Sequence, residues 1–450
     1  MLSRSVAPCA VRPATRAFFA PSASAMAQLS VAEEFPGVPR ASPAARPAPQ
    51  LTTSLSSSGL KLASDTSDAL VATLGVEIAA GSRVEADATA GASQLLAKMA
   101  FRATTARSDL RLFRDIEALG GVVHKAAGRD FVRYNISVLP DAVEAAAEIL
   151  AETTLAPRFA HWDIAIQKKQ VQVEAEQLAA CAERSVFENV HAAAFYDDAT
   201  LGRPVVTAEN LAALDEDALA AFYEQYATTA SLALVGAGVD HSTLTSIANT
   251  HFAGVPAAAK APAHAAAHYV GGESRVKRAT RQTYVALGFE TAGSASAQLG
   301  ASRVLQGLLQ HRLGHKHAGA FLSTFEDVGL VGLSGRAAHA EAGALVSKFV
   351  AEIKKAASTP ASAEELAAAK KLVALEAAAA LSSRQGRMQL LGAAALKQRA
   401  PASPLAAVEG VSAQDVQQLA QKALASRPSL AAVGQVSNVP HIDAVERQLK

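Results

Sequence analysis

The chain repeats itself, and this limits its possible folds more than any other feature of the sequence. Leu74-Gly75-Val76-Glu77 returns as Leu287-Gly288-Phe289-Glu290 at an offset of 213 residues, and Gly81-Ser82 returns as Gly293-Ser294 at 212. Toward the far ends, Ser231-Leu232-Ala233-Leu234-Val235-Gly236 is matched by Ser429-Leu430-Ala431-Ala432-Val433-Gly434 at 198. The helix openings Leu214-Asp215 and Val411-Ser412 match at 197. Two copies of one unit satisfy these offsets, the second shorter by about fifteen residues. Each unit mixes alternating runs and a hairpin with long helical patterns. This predicts two homologous α+β halves rather than one doubly wound sheet.

Residues 1–40 carry Arg4, Arg12 and Arg16 among Ser, Ala and aromatic residues, with no acidic residue before Glu33. That pattern predicts a mitochondrial presequence, and Arg16-Ala17-Phe18 resembles a matrix-protease cleavage context. Residues 41–50, rich in Pro and Ala, read as a connector. The first half is expected over 51–252. It has a strand over 70–78, an amphipathic helix over 109–119 with Leu110, Phe113 and Leu119 as its apolar residues, and a hairpin around Gly128-Arg129. A helix opens at Pro140-Asp141, and a long helical pattern runs from Trp162 to Phe195. Asp215 caps a helix reaching Tyr226, and a strand follows over 230–236. Residues 253–268 form an alanine- and proline-rich linker, and the second half is expected over 269–450, with a Ser412…Asp415 capping box.

Gly91-Ala92-Ser93-Gln94-Leu95-Leu96-Ala97-Lys98-Met99-Ala100-Phe101 sets Leu95, Leu96 and Met99 on one helical face, with positions 94, 97 and 98 off it. Here the chain resembles the pitrilysin-type metallopeptidases, the family that includes the mitochondrial processing peptidase and the core subunits of respiratory complex III. Active members read G-x-x-H-x-x-E-H-M-x-F along this helix. Their two histidines hold zinc and the glutamate activates water. This chain keeps Gly91, Met99 and Phe101 but has Gln94 and Lys98 at the histidine positions and Ala97 at the glutamate position. The third family ligand lies 76 residues after the second histidine, which is Glu174 here. A neutral Gln is a poor ligand, a protonated Lys has no lone pair, and Ala moves no proton. One carboxylate makes no zinc site, so Glu174 is expected to be a solvated helix residue. No catalytic, cofactor-binding or metal residue is expected.

The resemblance also touches Asn189-Val190-His191-Ala192-Ala193-Ala194-Phe195 and Leu201-Gly202-Arg203-Pro204, and it covers the chain from about Leu51 to the C-terminus. It implies two halves, each a mixed sheet flanked by helices, and pairing of two such proteins into a hollow shell. Loss of the ligands removes an active peptidase. A silent core 2 scaffold of complex III and the processing peptidase α subunit remain. The α subunit carries a glycine-rich loop in the second half, whereas Gln306 to Phe325 holds only Gly307, Gly314 and Gly319. That favours the core 2 type. Its partners would be core protein 1 (a processing peptidase β-like subunit) and the cytochrome b and cytochrome c-type subunits, on the matrix side of the inner membrane. A matrix scaffold with some other partner is the plainer alternative.

Other constellations carry no chemistry. His264 and His268 lie four apart in a linker without a third ligand, and His311, His315 and His317 read as an exposed polar loop. Gly332-Leu333-Ser334-Gly335 is not a nucleophile elbow, and no phosphate-binding glycine loop is present. A net charge of +1 gives no case for nucleic acid, and with Cys9 in the presequence only Cys181 is left, which excludes a disulfide framework. No run of 18 uninterrupted apolar residues exists, so no spanning segment is expected.

Overall fold

The repeat's landmark strand sits inside a sheet in both halves. In a computed structural model of the chain, the described residues are 51–66, 70–195, 201–208, 211–262, 264–314, 317–398 and 406–450. The expected presequence and connector lie outside them. The first half runs β1 (Leu51–Leu55), β2 (Lys61–Asp65), β3 (Ala72–Ile78), α1 (Ala92–Met99), α2 (Asp109–Ala118), β4 (Val122–Ala127) and β5 (Val132–Val138). It continues with α3 (Val143–Leu155), α4 (His161–Ala180), α5 (Ala182–Ala194), α6 (Glu216–Tyr226), β6 (Leu232–Ala237) and α7 (His241–His251). The second half runs β7 (Gly272–Lys277), β8 (Thr283–Ala292), α8 (Leu299–Leu313), β9 (Ala318–Thr324), β10 (Val328–Ala337), α9 (Ala342–Ser358) and α10 (Ala363–Ser382). After these come α11 (Arg384–Leu396), α12 (Ala406–Glu409), α13 (Ala413–Ala425), β11 (Ser429–Gly434) and α14 (Ile442–Leu449).

The sheets read β1-β2-β6-β3-β5-β4 and β7-β11-β8-β10-β9. In each, one parallel pair (β2 with β6, β7 with β11) joins otherwise antiparallel neighbours. Both halves are thus mixed sheets flanked by helices, and β1 is the strand without a described counterpart. The register is not copied. Gly75 faces Val235, but Gly288 faces Ser429, four residues before Val235's match Val433. An even slip keeps every side chain on its own face, so the core survives it.

Strands β3, β6 and β11 are buried along their whole lengths, which requires cover on both faces of each sheet. One face is covered by the half's own helices. The other is covered by a helix lent by the opposite half. Met388, Leu391 and Ala395 of α11 pack on Ala63, Ala233, Val235 and Ala237 of the first sheet. Val186, Val190 and Ala194 of α5, with Phe195 beyond its end, pack on Ala286, Leu330, Ala431 and Val433 of the second. Small residues allow this approach. A Cβ on Gly75 would fall 2.7 Å from Met388 Cε, and one on Gly392 would fall 1.8 Å from Glu77 Oε2. Glu77 accepts from Arg133 Nε and Nη2 at 2.9 and 2.7 Å, a buried pair under α11. Between halves, Arg83 (3 % exposed) donates to both oxygens of Asp327 at 2.9 and 2.5 Å.

Several expectations need correction. The pattern from Trp162 to Phe195 is two helices, broken where Cys181 is extended (φ −81°, ψ 104°). Nothing local breaks it; the chain must leave α1, on which α4 packs, to reach the second sheet. Ser383 breaks α10 from α11 at the corresponding point. On α2 the side facing the core carries Leu112 and Ile116, with Leu119 packed against it, while the expected Leu110 and Phe113 are more than half exposed. Most of Gln306 to Phe325 is the end of α8 and strand β9, with a connection of only Gly314 to His317. His311 therefore lies on a helix rather than in a loop; His315 lies outside the described residues.

One buried contact within the second half makes a testable prediction. Arg312, whose side chain is 4 % exposed, donates Nε and Nη2 to the two oxygens of Glu365 at 3.0 and 2.9 Å, joining α8 to α10. The same carboxylate closes the Ser362 capping box. Glu365→Ala is expected to destabilise the protein by about 2 kcal/mol in urea melts, because it strands a buried guanidinium. Hydrogen bonds from Arg312 hold Glu365 down to about 2, against an ordinary 4.5. Its contribution should therefore be complete above the unfolded value and fade as pH falls toward 2, and in the Ala variant that part of the acid sensitivity should vanish.

Candidate functional site

The site begins with a buried carboxylate. Glu85 accepts from Gly91 N and Ser93 N at 2.8 Å and from Ser93 Oγ at 2.5 Å, satisfying donors at the start of α1. Burial pushes its pKa up, against those hydrogen bonds. Gly91 stands in the left-handed region (φ 90°), where glycine is favoured, and so turns the chain into the helix. At the other end, Lys125 Nζ on β4 donates to Lys98 O and Ala100 O at 3.0 Å, closing the last turn.

Between these anchors, α1 directs Gln94 and Lys98 at α4. Gln94 Nε2 donates to Glu174 Oε2 at 3.1 Å, and Lys98 Nζ is bonded to Glu174 Oε1. The three positions that hold zinc in the resembled family are therefore brought together, and they pair with one another. This corrects the reading of Glu174 as a solvated helix residue. Both of its oxygens are engaged, although its side chain is 38 % exposed. A second correction concerns the helix face. Gln94 and Ala97 are 8 % and 4 % exposed, so α1 is buried nearly all round, with Lys98 its least buried residue.

A cavity of about 220 Å³ opens beside the pair, lined by Gln94, Ala97, Lys98 and Lys125. Burial lowers Lys125 to about 8, and the positive charges of Arg102 and Lys98 add to the effect. These residues do not fit a zinc ion. The ammonium of Lys98 already neutralises the one carboxylate, a second cation stands across the cavity, and position 97 has no base. No hydrolytic step can be written through this site. Elsewhere, His264 Nε2 approaches Glu326 Oε2 only to 3.9 Å, and no group of three His, Cys, Asp or Glu side chains among the described residues is placed to hold a metal. Sequence reasoning missed Glu85 and Lys125. Glu85 could have been suspected from its place six residues before Gly91, but Lys125 reaches α1 only across the sheet.

A mixed-sheet pair of repeated halves, with Gln94, Lys98 and Glu174 converging where a metal triad would stand, defines a metallopeptidase scaffold with an altered centre. Comparison with known proteins agrees. The insulinase (peptidase family M16) profile matches residues 48–209, and the profile for the peptidase M16 inactive domain matches 213–373. The mitochondrial-processing peptidase subunit alpha-2 of Dictyostelium discoideum is 30% identical over 403 residues, covering 84% of this chain and 89% of that one. Cytochrome b-c1 complex subunit 2 of Homo sapiens is 27% identical, covering 86% and 90%, and that of Mus musculus 26%, with the same coverage. The chain belongs to peptidase family M16. Its relatives divide between processing peptidase α subunits and complex III subunit 2 at similar identity. Among the described residues no helix is long and apolar enough to cross a membrane.

Proposed function

We propose that the chain is a non-catalytic core 2 subunit of mitochondrial ubiquinol–cytochrome c reductase, on the matrix side of the inner membrane. The observation that carries this reading is the connection from α8 to β9. It is four residues, Gly314 to His317, with one glycine at positive φ, where an α subunit would bring a loop dense in glycines. The ion pair in place of a metal triad supports a role without catalysis. The subunit acts mechanically, as buried interface that holds a β-like core partner and the membrane-embedded cytochrome subunits together. Electrons do not pass through it. The presequence over 1–40, the connector over 41–50, the halves at 51–252 and 269–450 and the linker between them belong to the same proposal.

Affinity purification of the mature protein from mitochondria tests it. Recovery with cytochrome b and a c-type cytochrome supports the core 2 role. Recovery with a processing peptidase β subunit alone moves the chain to the α-subunit role. In the same material, the mature N-terminus is expected before about residue 45. An intact Met1 would contradict the presequence.

A further inference from the structure

A larger cavity lies at the junction of the halves. Its volume is about 940 Å³, at the upper end of the 300–1,000 Å³ typical of ligand pockets, and like many such pockets it sits where two folding units meet. Leu299, Leu322, Val373, Leu381 and Leu390 supply apolar wall from α8, β9, α10 and α11.

Most of its charged groups are already engaged. Lys61 Nζ donates to Ala230 O and Leu396 O at 2.6 and 2.8 Å, Lys397 Nζ is bonded to Ser294 Oγ, and Glu77 is taken by Arg133. Asp130 lies 3.7 Å from Arg83, and Glu326 lies 3.9 Å from His264. Two charged groups remain without a hydrogen bond or ion pair among the described residues, Arg303 on α8 and Glu376 on α10. They differ in hydration. Glu376 is exposed and keeps its water. Arg303 is part-buried, and its loss of water is offset by no neighbouring carboxylate. A guanidinium partly withdrawn from water, with no protein partner beside it, favours an anion, carboxylate or phosphate, that it can grip with two parallel bonds. Gln306, one turn along α8, lines the same wall and adds an uncharged donor.

We infer that this cavity binds a single aliphatic chain with an anionic head, the head seated on Arg303 and the chain lying between α10 and α11. Nothing in this inference depends on the subunit assignment above. The test is titration of the purified full chain with oleate, with dodecyl phosphate, and with oleyl alcohol as the uncharged control. Saturable one-to-one binding of oleate is expected, with oleyl alcohol at least tenfold weaker. Arg303→Gln should weaken oleate roughly tenfold, the loss of one charge-assisted contact. Ala377→Phe, which fills the cavity from α10, should abolish binding and keeps the test open if Arg303→Gln fails to fold. Tighter binding of dodecyl phosphate than of oleate would assign the site to phosphate heads. Non-saturating uptake, equal binding of the alcohol, or oleate affinity unchanged in both variants overturns the inference. So does a basic peptide that binds in place of oleate and depends on Glu376.

Discussion

Gln94→His, Ala97→Glu and Lys98→His, made together, are expected to yield a folded chain that carries one zinc. Lys98 is the present obstacle. Its ammonium occupies one oxygen of Glu174 while Gln94 holds the other. Removing both frees a carboxylate already positioned against α1, and histidines four apart on that helix supply the other two ligands, leaving one position open. Ala97 is only 4 % exposed, so a glutamate there needs room, and the adjoining 220 Å³ cavity provides it. Lys125 still faces the cavity as a cation and would weaken binding. The restored histidines are expected to lack the carboxylates or carbonyls that orient metal-bound histidines, a loss of about ten- to a hundredfold in affinity or activity. Zinc without appreciable peptidase activity is therefore the expected outcome. The readout is metal content, with Glu174→Ala in the triple background as the control that loses zinc. A triple variant that folds but stays zinc-free would show that Glu174 is misplaced, and with it the match of the first half to the active family members.

Cutting the linker should leave the two halves together. With a protease site introduced between Ala259 and Lys260, the nicked protein is expected to elute at the position of the intact chain and to separate only in denaturant. Each half lends a helix to the other's sheet. Val186, Val190, Phe195, Met388 and Leu391 are at most 2 % exposed across these contacts, and burying such a side chain is worth roughly 1.5–3 kcal/mol. The Arg83–Asp327 pair adds a fixed polar link. Each half expressed alone would present one bare sheet face and should aggregate. Two separately folded, soluble fragments after cleavage would refute the exchange of α5 and α11.

The duplication was legible because it lies in local sequence: Leu74-Gly75-Val76-Glu77 and its repeat do become central strands of two similar sheets. The hairpin around Gly128-Arg129 and the caps at Asp215 and Ser412 were legible for the same reason, each being a property of a few adjacent residues. What could not be read was how the halves interlock. Cys181 and its alanine neighbours hold no helix breaker, and the bend there exists only because α5 must reach the other sheet. Leu110 and Phe113 misled because α2 has apolar residues on two sides, and the side that is buried is that of Leu112, Ile116 and Leu119. At the site, the family spacing led to Glu174. That Lys98 and Glu174 would neutralise each other depends on α4 crossing α1, a contact no single stretch encodes.

The central claim is that an ammonium–carboxylate pair stands where the family's active members hold zinc, and metal analysis of the purified wild-type chain tests it most directly. After incubation with excess zinc and desalting, the chain should retain none above background and should leave a presequence peptide uncleaved. One zinc per chain, lost in Glu174→Ala, would contradict it.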